Sequence, residues 1–138
     1  MTDILVSKDD GQVVTLTLND APANCLTMEM MSAIKMEIDR VNQSKDHKLI
    51  IFESSNEKIF CSGHSFNEVQ EMIKNNDKKS QELLFAECSE MLMKIRTSPK
   101  IFVAKVRGIA TAGGLGLVSI MDCVFSSKSA RFALGGIN

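Results

Sequence analysis

Two glycine-containing turns hold the residue types in this sequence that are best suited to chemistry. The first, FCSGHS, spans residues 60–65, and the second, TAGGLG, spans residues 111–116. Each follows an apolar run typical of a strand and precedes a segment typical of a helix start. Free backbone N–H groups collect at such junctions, where they favour a phosphate or an oxygen on which negative charge develops.

The second turn admits three interpretations. A nucleotide-binding loop is disfavoured, because GGLGLVS lacks the last glycine of G-x-G-x-x-G and no Lys-Ser/Thr pair follows as in a P-loop. The glycines at 113, 114 and 116 would alternatively serve only close packing of a helix. The third interpretation is an oxyanion hole, in which N–H groups from both turns hold one carbonyl oxygen. The first turn favours this third interpretation, since it offers donors from the end of another strand.

His64 and Cys61 are the side chains in the first turn with reactive chemistry. A thiol and base pair is one interpretation, but it needs a third orienting group that the spacing does not show. We therefore expect His64 to act through its backbone N–H while its ring packs or faces solvent. The cysteines, at 25, 61, 88 and 123, show no metal-ligand spacing, so no metal site is predicted.

The elements that must position these turns follow from the hydrophobic periodicity. Alternation or short apolar runs predict strands, and apolar residues three and four apart predict helices. Ser65 followed by Glu68 fits a capping box at a helix start near Phe66. Strands alternating with helices indicate an α/β fold with parallel pairing. The predicted strands are 12–18, 49–53, 59–63 and 101–106, and the predicted helices are 27–41, from about 66, 80–97, and after the second turn.

Length and composition exclude several classes of protein. The 138 residues, 44% of them hydrophobic, predict one domain over 1–138. The net charge of -1, without a basic run interleaved with aromatics, argues against nucleic-acid binding. No apolar run approaches the ~20 residues that span a bilayer, so no membrane role is expected. Reduced cysteines and a charged first segment predict a cytoplasmic protein.

Three segments resemble the crotonase, or enoyl-CoA hydratase/isomerase, superfamily. They are IFCSGHSFNEV (59–69), VRGIATAGGLGLVSIMDCVFSSKSARFAL (106–134) and LNDAPANCLTMEM (18–30). The first two are similar to the family motifs F-C-A-G-A-D-L-K-E and V-x-G-x-A-x-G-G-G-x-E-L-A-x-x-C-D, and the third to its N-A-L segment. The resemblance implies a crotonase-like α/β fold with a (ββα)-type spiral core. Since the family runs to roughly twice this length, it also implies that only the first half is present, without the carboxy-terminal helices.

The resemblance also implies a ligand and the residues that contact it. The backbone N–H groups of His64 and Gly113 would bind the oxygen of a CoA thioester and stabilise its enolate. The CoA would pass the following residues: Ala23, Cys25, Cys61, Gly63, Ser65, Phe66 and Ile109. No permanently bound cofactor is implied, and the family's assembly would be a homo-oligomer, a trimer or hexamer.

The sequence departs from the family pattern at the acid–base positions and in the first turn. The two hydratase glutamates align with Gly116 and Gly136, neither of which can transfer a proton. Ser65 and Asn67 stand where the family commonly has Asp and Lys. We therefore expect a CoA-thioester-binding protein with enolate chemistry, such as isomerisation or thioester hydrolysis, and not ordinary hydration. The alternative is a non-catalytic binding or assembly module, or a fragment of a longer enzyme.

Overall fold

The computed structural model describes residues 3–135, which form a mixed α/β structure as predicted. Within this range the strands are β1 (Leu5–Asp10), β2 (Val13–Leu18), β3 (Leu49–Ser54), β4 (Ile59–Cys61), β5 (Ile101–Val106), β6 (Ile109–Thr111), β7 (Cys123–Ser126) and β8 (Arg131–Ala133). The helices are α1 (Met28–Gln43), α2 (Phe66–Lys74), α3 (Lys78–Thr97) and α4 (Gly113–Ser119). None of these helices is long and apolar enough to cross a membrane.

The larger sheet has the strand order β1-β2-β3-β5-β7. Strands β2, β3, β5 and β7 pair in parallel, and β1 pairs antiparallel with β2 across a tight connection at Gly11. The predicted parallel pairing is therefore confirmed. Sequence periodicity does not single out β1, because this edge strand, LVSKDD, is mostly exposed and has no apolar alternation.

The smaller sheet brings the ends of β4 and β6 together. Its order is β4-β6-β8, and all three strands are parallel. Gly108, before β6, has φ +74, and a Cβ there would overlap the Lys58 carbonyl group, so the close approach of these two segments requires glycine. Each strand has only three residues, which is too short for alternation to predict β6 or β8.

Side-chain caps set the first residues of the long helices. Thr27 Oγ1 accepts a hydrogen bond from the Met30 N–H (3.1 Å), and α1 begins at the next residue. Asp77 accepts from the Ser80 N–H (3.0 Å), which starts α3 two residues before the predicted 80. Ser65 Oγ accepts from the Glu68 N–H (3.3 Å), so α2 begins at Phe66 as predicted.

The hydrophobic core lies between the larger sheet and helices α1 and α3. Helix α1 contributes a fully buried stripe that packs against α3 and the sheet. The largest fully buried side chains are Phe52, Phe60, Phe102, Leu16, Leu18, Leu26, Met30, Met31, Ile34, Ile38, Ile50 and Leu84. Phe60 begins the first glycine turn and Leu26 is hydrogen-bonded to Gly63, so the core fixes the backbone of that turn.

Candidate functional site

The two glycine turns meet because they follow neighbouring strands, β4 and β6. A Cβ at Gly63, which has φ +86, would lie 2.7 Å from the Gly113 nitrogen, and a Cβ at Gly113 would lie 3.7 Å from the His64 nitrogen. Only glycine fits the first of these positions. Within residues 3–135, neither the His64 N–H nor the Gly113 N–H has a hydrogen-bond acceptor. Two free backbone donors therefore lie side by side.

Ala112 orients the Gly113 donor. It has φ 50 and ψ -123, a backbone conformation that costs a residue with a Cβ about 1–3 kcal/mol. Its N–H donates to the Ala133 carbonyl at 3.0 Å, and its own carbonyl accepts from the Gly116 N–H at 3.1 Å. These two bonds hold the strained turn in place.

The segment at 23–26 is tied to the first turn by backbone hydrogen bonds. The Ser62 N–H donates to the Ala23 carbonyl (3.1 Å), and the Leu26 N–H donates to the Gly63 carbonyl (2.8 Å). Cys25 Sγ lies 3.4 Å from Ser62 Oγ. The predicted residues Ala23 and Cys25 are therefore brought to the first turn.

Asn24 is the buried polar residue that holds this segment. Its side-chain nitrogen donates to Ser54 Oγ (2.8 Å) and to the Phe60 carbonyl (3.1 Å), and its side-chain oxygen accepts from the Asp20 N–H (2.7 Å). Sequence reasoning missed Asn24, because it lies in NDAPAN, a composition typical of an exposed turn. No local pattern distinguishes an asparagine that the tertiary structure buries.

An open groove of about 500 Å³ runs along these segments. Five predicted site residues line it, namely Ala23, Cys25, His64, Ser65 and Phe66. The other lining residues, which sequence reasoning did not select as ligand contacts, are Asp20, Pro22, Thr27, Ser62 and Asn67. Asp20 is the carboxylate of this set, and no lysine or arginine belongs to it.

Five predicted positions within residues 3–135 do not line this groove, namely Cys61, Gly63, Ile109, Gly113 and Gly116, and the last two lie on α4. Cys61 is fully buried, and burial raises the pKa of its thiol to about 12, so it stays protonated and does not act as a thiolate. Gly63 is buried between the two turns. Ile109 does not line the groove; it is 43% exposed and lies in a separate depression beside Lys58. Gly136 lies outside the described residues.

The His64 ring packs within the protein. Its Nδ1 lies 3.2 Å from the Leu26 carbonyl oxygen, and the ring meets Phe85 edge-on, with 5.7 Å between ring centroids. These contacts agree with the expectation that the ring packs while the backbone N–H stays available. The high pKa of Cys61 disfavours the thiol and base pair.

Gly116 has room for a side chain. A Cβ at this position on α4 would meet nothing within 4 Å. The site therefore has space, but no carboxyl group, where the resemblance places the first hydratase glutamate.

The fold is that of a crotonase-type α/β protein. Residues 8–138 match the family model described as Enoyl-CoA hydratase/isomerase, and the chain belongs to this family. Enoyl-CoA hydratase domain-containing protein 3, mitochondrial, of Rattus norvegicus is 32% identical over 95% of this chain and 42% of its own length. Bacillaene synthase dehydratase PksH of Bacillus subtilis is 37% identical over 56% of this chain and 29% of its own.

Solved structures agree with this assignment. Enoyl-CoA hydratase of Mycobacterium smegmatis has a TM-score of 0.90 and 34% identity, over 99% of this chain and 52% of its own. Human enoyl-CoA hydratase domain-containing protein 3 has a TM-score of 0.89 and 27% identity, over 97% and 52%. The predicted crotonase fold is confirmed, and the chain spans about half the length of the relatives it matches.

Proposed function

We propose that this chain binds a CoA thioester in the groove, with the thioester oxygen between the N–H groups of His64 and Gly113. The observation that carries the proposal is the close approach of these two donors, neither of which has an acceptor among the described residues. Donors fixed in this way favour charge that grows on oxygen, and one such donor is worth about 3–4 kcal/mol in a transition state.

The chemistry that fits this arrangement is formation of a thioester enolate. Polarising the carbonyl weakens the adjacent C–H bond, which is the step that double-bond isomerisation requires, and it also activates the carbonyl toward thioester hydrolysis. Hydration by a glutamate pair does not fit, because position 116 carries no carboxyl group. The dehydratase activity in the name of PksH belongs to that protein.

Calorimetric titration with acetyl-CoA, crotonyl-CoA and free CoA tests the proposal. We expect both thioesters to bind more tightly than free CoA, because only they present a carbonyl oxygen to the donors. Binding of [1-13C]acetyl-CoA should also shift the carbonyl carbon resonance, as expected when two N–H groups polarise the carbonyl. If neither thioester binds at millimolar concentration, the proposal is wrong.

Two substitutions at Gly113 distinguish loss of the N–H donor from the effect of an added side chain. Gly113→Pro removes the donor at the first residue of α4, where proline is compatible with a helix. Gly113→Ala keeps the donor and is the control for added bulk, because its Cβ would lie 3.3 Å from Gly63 Cα, a tight contact that the first turn must accommodate. We expect the carbonyl resonance shift to disappear in the proline variant and to persist in the alanine variant, with thermal unfolding confirming that both fold.

A non-catalytic binding module is the second candidate. The empty space at Gly116 favours it, because the site has no acid–base group at that position. This candidate predicts thioester binding without product release from any enoyl-CoA chain length. A related possibility is that the chain is the amino-terminal part of a longer enzyme. The coding sequence beyond position 138 distinguishes this possibility from a separate non-catalytic module.

Assembly and location are further parts of the proposal. We propose a homo-oligomer, supported by exposed apolar side chains on and beside β7 and β8, namely Val124, Phe125, Phe132 and Leu134. No resident cofactor, nucleic acid or membrane partner is proposed. The cytoplasmic location stays a prediction, and the relatives with mitochondrial names make that organelle the alternative for an imaging experiment to decide.

A further inference from the structure

We propose that the His64 imidazole is the acid–base group of this site and takes the role that a carboxylate at position 116 would have. The inference rests on the proposed function, since it needs a thioester oxygen on the His64 and Gly113 donors. Four steps support it: the proton arrangement on the ring, the access to its second nitrogen, its place beside the donors, and the lack of an equivalent group.

The ring's contact with Leu26 determines which nitrogen carries the proton. Nδ1 lies 3.2 Å from the Leu26 carbonyl oxygen, which can only accept a hydrogen bond. Nδ1 is therefore the donor, and in the neutral ring the lone pair is on Nε2. This arrangement, with one nitrogen held by a carbonyl and the other basic, is that of a positioned general base.

Nε2 is free to reach a ligand. Within residues 3–135 it has no hydrogen-bond partner, and it is not among the buried unpaired atoms, which are His47 Nδ1 and Glu68 Oε2. His64 lines the groove, and the edge-on contact with Phe85 fixes the plane of its ring. A fixed ring with an accessible nitrogen loses little entropy when it takes a proton.

The ring belongs to the residue that also supplies one oxyanion donor. A thioester oxygen on the His64 N–H therefore lies within one side-chain length of the imidazole. The carbon that bears the acidic proton is bonded directly to the thioester carbonyl carbon. The inference therefore requires Nε2 to face the α-carbon of a thioester whose oxygen is bound by the backbone N–H of the same residue.

Proton abstraction by this ring balances without an additional reactant. Nε2 takes the α-proton, the C–H electron pair becomes the carbon–carbon double bond of the enolate, and the carbonyl π pair moves onto the oxygen held by the two N–H groups. The imidazolium then exchanges its proton with solvent and returns one to carbon. The net event without further chemistry is exchange of the α-proton.

Other titratable groups in and near the groove are less suited to this step. Asp20 and Cys25 line the groove from the connection between β2 and α1 and not from a turn that supplies a donor, and Cys25 Sγ already contacts Ser62 Oγ at 3.4 Å. Cys61 has a pKa of about 12 and stays a thiol. Glu68 Oε2 is buried and unpaired within the described chain, but Glu68 does not line the groove. Glu68→Gln is therefore the comparison variant.

Exchange of the acetyl-CoA methyl protons in D2O, followed by proton NMR, tests the inference. His64→Ala retains the backbone N–H but removes the base, and His64→Asn also retains a side-chain N–H for the Leu26 carbonyl. We expect both variants to retain acetyl-CoA binding, because the backbone N–H is unchanged, and to lose about 100-fold or more of the exchange rate. Added imidazole should restore exchange to His64→Ala, and Glu68→Gln should exchange normally.

Each contrary result has a distinct meaning. If acetyl-CoA binds to the wild type but its protons do not exchange, or if exchange persists in both His64 variants, the His64 inference is overturned and the proposed binding function stands. Loss of exchange in Glu68→Gln with normal exchange in His64→Ala assigns the base to Glu68. If acetyl-CoA does not bind, the proposed function fails and the inference fails with it.

Discussion

At the residue scale, a side chain at Gly63 would collide with its neighbours, whereas one at Gly116 would meet open space. The two positions therefore give a matched pair of substitutions. Gly63→Ala adds a Cβ at φ +86 that would lie 2.7 Å from the Gly113 nitrogen. We expect it to abolish acetyl-CoA binding in calorimetry and to lower the free energy of unfolding by about 2 kcal/mol. Normal binding by Gly63→Ala would show that the two donors are not the binding site.

Gly116→Ala is the control for this pair. Its Cβ would meet nothing within 4 Å and would lie inside α4, where alanine favours the helix over glycine. We expect unchanged binding and a gain in the free energy of unfolding of up to about 1 kcal/mol. Because both variants replace glycine with alanine, a difference between them in binding or stability measures the effect of steric space at each position.

Cys61 predicts a pH dependence of stability. Burial raises its pKa from 9.0 to about 12 in the folded protein, so between these values the native state keeps a proton that the unfolded state releases. This contribution to stability is fully present below pH 9 and is lost as the pH rises towards 12, at up to about 1.4 kcal/mol per pH unit. Denaturant unfolding between pH 8 and about 11 measures the slope.

Cys61→Ala separates this effect from other groups that titrate at alkaline pH. The free energy of unfolding of the variant should fall less steeply with pH than that of the wild type, whatever its absolute value. Equal slopes would mean that the thiol is not protected by burial. Alkylation by iodoacetamide in the native state should spare Cys61 and modify the exposed Cys123.

At the element scale, the connection between β2 and α1 depends on Asn24. Asn24→Ala leaves Ser54 Oγ, the Phe60 carbonyl and the Asp20 N–H without their partner and places alanine at φ 47. We expect the free energy of unfolding to fall by about 3 kcal/mol, because unsatisfied buried polar groups each cost about 1–3 kcal/mol. Chemical denaturation measures this loss.

Asn19→Ala is the control in the same connection. Asn19 donates one exposed hydrogen bond to the Asp3 carbonyl, so its removal should cost less than about 1 kcal/mol. A comparable loss in both variants would show that burial of Asn24 is not what holds the segment. Weaker acetyl-CoA binding in Asn24→Ala alone would link this connection to the groove that it borders.

At the scale of the whole molecule, the apolar side chains around β7 predict self-association. Phe125 is 63% exposed and lies among other exposed apolar residues, while Met36 is 70% exposed on α1. We expect the 138-residue chain to form oligomers at micromolar concentration and Phe125→Asp to shift them towards the monomer. Sedimentation equilibrium measures the association, with Met36→Asp as the control. A monomeric wild type, or equal effects of both variants, would contradict this prediction.

Several features of the fold and site could be predicted from the sequence. Strands β2, β3 and β5 and helix α1 have patterns that repeat over enough residues to define a face, and the start of α2 has a capping serine. The two glycine turns, with the segment 18–30, also carried the family resemblance, because their motifs consist of consecutive residues. These features depend on near neighbours in the chain, which a sequence displays directly.

Only the tertiary structure decided how these parts meet. Parallel pairing of the three-residue strands β4 and β6 puts Gly63 beside Gly113, although 50 residues separate them. The burial of Asn24 and the proton arrangement on His64 depend on the carbonyls of Phe60 and Leu26, which come from other segments. Residue types and local periodicity determined the longer elements and the candidate donors, whereas contacts between distant segments determined the short strands, which groups face one another and which stay free.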